Sequence, residues 1–117
     1  MINRREHNRV PLFGTATVKF EDKGTIQSIH TLPASISLGG MGLYTSDAID
    51  IGTDVLITIN FLSAYGEPKT DSIEGCVIYD DQIEDIHLLG IRFKEDINSQ
   101  NGPSLYEHMQ KILEWAK

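Results

Sequence analysis

The sequence has a single cysteine, Cys76, so no disulfide can form within its 117 residues. Between Gly75 and Val77 in an apolar run, Cys76 reads as a small buried thiol of a protein kept in a reducing compartment. No apolar run approaches the roughly 18 residues of a membrane span, and the polar start MINRREHN lacks the apolar region of a secretory signal. A cytoplasmic location without membrane insertion is therefore expected. Repeats, low-complexity tracts and long linkers are also missing, and 117 residues suit one domain. Positive charge is scarce: the formal net charge is −7 and the pI about 4.9, which argues against a general grip on the DNA or RNA backbone.

Catalytic and metal-binding patterns are equally scarce. The histidines, at 7, 30, 87 and 108, form no metal-ligand spacing with one another or with Cys76. The acidic run DDQIED at 80–85 falls between two apolar alternating segments, lacks the spacing of a calcium loop and reads as a solvated turn. LGGMG at 38–42 fits neither nucleotide-binding glycine pattern, and no G-x-S-x-G elbow is present. No enzyme is expected.

What is present is alternation. From residue 12 to residue 93 apolar side chains recur at every second position, most clearly at Val55, Ile57, Ile59 and Phe61 and again at Leu89, Ile91 and Phe93. Ile73, Val77 and Tyr79 align in another run. TIQSIHTL at 25–32 alternates poorly, as a bulged strand or one covered on both faces would. Six or seven short strands follow from these runs. The tail changes period: Leu105, Met109, Ile112, Leu113 and Ala116 form one helical stripe. Pro103 suits its first position, and Ser104 with Glu107 matches a capping box. The expected fold is mainly β, a small antiparallel barrel or sandwich with a C-terminal α-helix over one opening.

The arginines are grouped. Arg4, Arg5 and Arg9 against Glu6 give residues 1–9 a balance of +2, leaving −9 for the rest, and only Arg92 lies elsewhere. Alone, such a segment reads as a solvated basic tail. It gains meaning from a second pattern. Arg5 and Arg9 make R-x-x-x-R just before the first strand, and SISLGG at 35–40 makes S-x-S-x-x-G between two later ones.

In content and order these motifs resemble the PilZ domain, a bacterial receptor module for cyclic di-GMP. RVPL after the arginines, GGMGLY after the serines, IGTDVLITI and LGIRF extend the resemblance over nearly the whole chain. It implies a six-stranded antiparallel β-barrel with a C-terminal helix, preceded by a flexible arginine arm. The corresponding division is residues 1–11 for the arm and 12–117 for the barrel domain. It also implies that the dinucleotide binds between the arm and the outer face of the barrel, with Arg4, Arg5, Arg9, Ser35, Ser37 and Gly40 as ligand-binding residues and no cofactor or metal.

The chemistry of these residues suits that ligand. Two phosphates and two guanines require cationic forks, and a guanidinium can hold phosphate oxygens or guanine O6 and N7 bidentately, or stack on a base. Ser35 and Ser37, two apart on a strand, are expected to project from one face while Ile36 and Leu38 anchor the core. Gly40 is expected to let the backbone turn or approach the ligand. In some family members an arginine at the place of Arg4 accompanies two stacked cyclic di-GMP molecules instead of one.

The chain departs from the family at Ser35, where aspartate or asparagine is usual. A hydroxyl offers one atom to a guanine edge where a carboxylate or amide offers two, a difference of roughly 0.5 to 3 kcal/mol. Two functions follow: a cyclic di-GMP receptor that changes conformation to regulate an unidentified protein partner, or a degenerate PilZ-like interaction module that binds no nucleotide.

Overall fold

Val55, Ile57, Ile59 and Phe61 turn the same buried face to the core in the computed structural model, which describes residues 9–115. They belong to β4 (Asp54–Leu62), whose burial alternates along its length. Full burial of each such side chain stabilises the fold by about 1.5 to 3 kcal/mol. The other strands are β1 (Gly14–Asp22), β2 (Thr25–Ile36), β3 (Gly40–Thr45), β5 (Pro68–Ile83) and β6 (Ile86–Phe93). All pairings are antiparallel, and the order β1-β2-β3-β6-β5-β4 closes into a barrel. Ala16, Val18, Ile36, Met41, Leu43, Ile73, Val77, Leu89, Ile91 and Phe93 fill it from the other strands.

Two strand boundaries differ from those read in the sequence. Pro33 does not interrupt β2; a register shift between Pro33 and Ser35 absorbs it, and the strand runs on to Ile36. TIQSIHTL alternates poorly because its first four residues are exposed on both faces, where the β1–β2 hairpin extends past the barrel. The run DDQIED is mostly strand: β5 continues to Ile83, and Glu84 and Asp85 alone make the turn into β6. A register shift between Val77 and Tyr79 moves Tyr79 out of line with Ile73 and Val77, and its ring lies against Gly90.

The β1–β2 hairpin closes on Lys23 and Gly24, with φ of 52° and 81°. Positive φ at both central residues is the type I′ turn, whose twist matches that of the strands it joins.

The helix α1 (Pro103–Trp115) buries Leu105, His108 and Met109. It packs at the end of the barrel where β4 finishes and β5 begins, with His108 edge-on to Phe61 at 5.4 Å between ring centres. Its cap is not local. Asp71 of β5 accepts the backbone N–H of Leu105 through Oδ2 at 2.7 Å, in place of the expected Ser104–Glu107 box. The segment before α1 is also tied to the β2–β3 turn: Phe93 N–H donates to the Gly39 carbonyl at 2.9 Å and Ile97 N–H to the Leu38 carbonyl at 2.8 Å.

Candidate functional site

The residues after the arginine motif are bound to the end of β2. Val10 N–H donates to the Ile36 carbonyl at 2.8 Å and Ile36 N–H returns the bond to Val10 at 3.0 Å. This two-bond bridge, with the buried Val10 side chain as its anchor, fixes where Arg9 emerges. Arg9 Nη1 then donates to Ser35 Oγ at 3.2 Å, across 26 residues of sequence. Arg9 Nε is buried and has no hydrogen-bond partner among the described residues. A guanidinium carries five N–H donors, so Arg9 keeps donors to offer an oxygen-rich ligand.

Ser37 and Gly40 stand differently from their expected arrangement. β2 ends at Ile36, so Ser37 lies in the turn rather than two places along a strand from Ser35, and it is buried. Its N–H and its hydroxyl both donate to the Gly40 carbonyl, at 2.8 and 3.2 Å. The hydroxyl proton is thereby used inside the turn, and the oxygen is left as an acceptor. Gly40 opens β3 without a positive φ. Its close approach is to the protein itself, because a Cβ there would press on the Ile91 carbonyl oxygen. Arg4 and Arg5 lie outside the described residues.

Register adds a residue that sequence reading had only noted as the isolated arginine. Arg92 of β6 is the cross-strand partner of Gly40, and it is exposed. Met41 and Leu43 face the core, so Gly40 and Arg92 share the outer face. The pattern R-F next to an alternating Leu89, Ile91 and Phe93 already placed Arg92 on the outside; only the strand order shows what it faces.

Among the described residues, no group of three or more His, Cys, Asp or Glu is placed to hold a metal ion, and no helix is long and apolar enough to cross a membrane. The buried titratable group whose pKa departs from its ordinary value is His108. Burial lowers its pKa below 6.5, the Pro11 carbonyl opposes this by less, and neither ring nitrogen makes a well-formed hydrogen bond.

The model of the family described as PilZ domain matches residues 3–114. The chain belongs to the PilZ domain family. Sequence comparison with curated proteins finds no match. In structure, this PilZ domain is similar to the inhibitor of motility MotI/DgrA of Bacillus subtilis, at a TM-score of 0.69 and 18% identity over 99% of this chain and 55% of that one. It is also similar to the PilZ domain of YcgR from Escherichia coli with c-di-GMP, at 0.61 and 14% over 97% and 98% of the two chains. The MrkH–c-di-GMP complex of K. pneumonia gives 0.61 and 18% over 97% of this chain and 52% of that one. The chain thus spans about half the length of the MotI/DgrA and MrkH chains. At these identities the likeness establishes the six-stranded PilZ barrel with its C-terminal helix.

Proposed function

We propose that this PilZ domain is a non-catalytic receptor for cyclic di-GMP that regulates a protein partner by changing the surface it presents when ligand is bound. The observation that carries the reading is the Arg9–Ser35 contact of 3.2 Å, because it joins the R-x-x-x-R and S-x-S-x-x-G motifs at one point on the barrel. The buried, unpartnered Nε of Arg9 adds to it. In this reading Arg4, Arg5 and Arg9 hold phosphate or guanine oxygens, Ser35 and Ser37 meet the base edges, and Arg92 adds a cation on the far side of Gly40. A ligand bound from the arm across the β2–β3 turn would couple to α1 through the turn carbonyls.

Titration calorimetry with cyclic di-GMP tests this. The wild type is expected to bind, with Arg5→Ala and Arg9→Ala each weakening binding at least tenfold. Absence of wild-type heat at high micromolar ligand would overturn the reading. One observation favours the degenerate interaction module instead: the hydroxyl proton of Ser37 is used within the turn.

A further inference from the structure

The end of the barrel away from α1 has an open strand edge. β3 is six residues long and pairs with β2 only from Leu32 to Ile36, so among the described residues β2 from Thr25 to Thr31 is paired with β1 alone. The two-residue turn makes Asp22 and Thr25 the first hydrogen-bonded pair of the hairpin, and such pairs then alternate along it. Ile26, Ser28 and His30 are therefore the residues whose N–H and C=O groups point away from β1, toward the side that β3 has left vacant. Three donors and three acceptors line this edge.

Edges of this kind are usually blocked by lysine, proline, a bulge or a covering loop. From Thr25 to Thr31 the edge has neither lysine nor proline, and the register shift of β2 comes later, at Pro33. Beside it runs a groove of about 450 Å³ lined by His30, Leu32, Tyr44, Ser46 and Ile86. Leu32 pairs with Tyr44, and Tyr44 with Leu88, so the groove continues as an apolar row across the outer face. Leu32 is 58% exposed and Ile26 67%.

Charge identifies the occupant. Asp47 and Asp85 adjoin the lining residues Ser46 and Ile86, Glu21 and Asp22 pair with Ile26 and Thr25 of the open edge, Asp81 pairs with Leu88, and Glu84 is in the β5–β6 turn; all six are exposed, against Lys19 and Lys23. A second copy of the chain would bring the same carboxylates to the same place, and an anionic membrane surface would be repelled. A basic chain would be attracted. We propose that this edge of β2 receives an extended protein segment bearing alternate lysine or arginine and apolar residues, which adds as a further strand. Backbone bonds to Ile26, Ser28 and His30 would set its register, apolar side chains would cover Leu32 and Tyr44, and cationic ones would meet the carboxylates.

The test uses the full chain, ¹⁵N-labelled, with a peptide of about ten residues alternating lysine and valine. The amides of Ile26, Ser28 and His30 are expected to shift and to exchange at least tenfold more slowly with peptide, and the apparent Kd to rise several-fold when salt is increased. Ser28→Pro, which removes an edge donor but no bond to β1, is expected to abolish that protection while the spectrum of the barrel stays intact. Leu32→Lys should weaken binding by a separate route. No perturbation at millimolar peptide would overturn the proposal. So would shifts confined to the acidic turns without slowed exchange, equal binding of a glutamate–valine peptide, or concentration-dependent dimerisation through the same amides. These readouts involve no nucleotide, so they stand whatever the cyclic di-GMP titration gives.

Discussion

Asp71 accepts the backbone N–H of Leu105 at 2.7 Å, so a β-strand residue caps a helix 34 positions further along the chain. The carboxylate also lies at the positive end of the helix dipole. Asp71→Ala is expected to cost about 1 to 2 kcal/mol of unfolding free energy, and Asp71→Asn much less, since an amide oxygen can still accept. Urea denaturation of the two variants checks this.

Gly40→Ala is a test of packing rather than of ligand contact. The added Cβ meets the Ile91 carbonyl oxygen, which belongs to backbone and cannot swing aside. A loss of about 1 to 3 kcal/mol in stability is expected, as for other overpacked sites. Thermal unfolding without any nucleotide should show it in full.

At Arg92 the expectation is reversed. The side chain is exposed, so Arg92→Ala should leave stability within about 0.5 kcal/mol of wild type. If Arg92 meets the ligand across Gly40, cyclic di-GMP affinity should fall by roughly threefold to a hundredfold, the range for a hydrogen bond to a charged group or a neutral one. Calorimetry beside the Arg9 variant separates the two arginines.

Ser35→Asp places a carboxylate where Oγ now accepts from Arg9. It should fix the guanidinium more firmly and offer a guanine edge two oxygens, tightening cyclic di-GMP by about tenfold. A change from no binding to micromolar binding would instead identify the wild type as the degenerate module.

His108 makes stability sensitive to acid. Its folded pKa is depressed below 6.5, chiefly by burial, so near that pH the unfolded chain binds more protons than the folded one. Its effect is absent well above 6.5; as pH falls through 6.5 toward the folded value, stability is lost. His108→Phe keeps an aromatic ring beside Phe61 and should flatten this part of the profile. Urea unfolding of both proteins between pH 7.5 and about 5 would reveal the difference.

The barrel was legible because β4 alternates buried and outward residues along its length and Leu89, Ile91 and Phe93 all turn to the core, so these runs announce themselves by period. Legibility failed where a residue's environment is set by distant chain. Tyr79 has the spacing of a core residue, but a bulge turns it outward. Ser104 and Glu107 have the spacing of a cap, but Asp71 takes the N–H. Ser37 continues the alternation of Ser35, yet the strand ends between them. Arg9 and Ser35 belonged together by resemblance alone until the Val10–Ile36 bridge supplied the contact. Arg92 was legible only as an outward-facing residue, because its relation to Gly40 exists only once β3 lies beside β6.

The amides of Phe93 and Ile97 are bonded to the carbonyls of Gly39 and Leu38. They are thereby built-in reporters of the β2–β3 turn, and Ile97 lies outside every strand that carries a residue assigned to the ligand. Their hydrogen exchange can record how often the turn opens in the native protein, without a label and without disturbing the serines. A ligand that clamps the turn must slow both amides together, whereas one held by the arm alone would leave them unchanged.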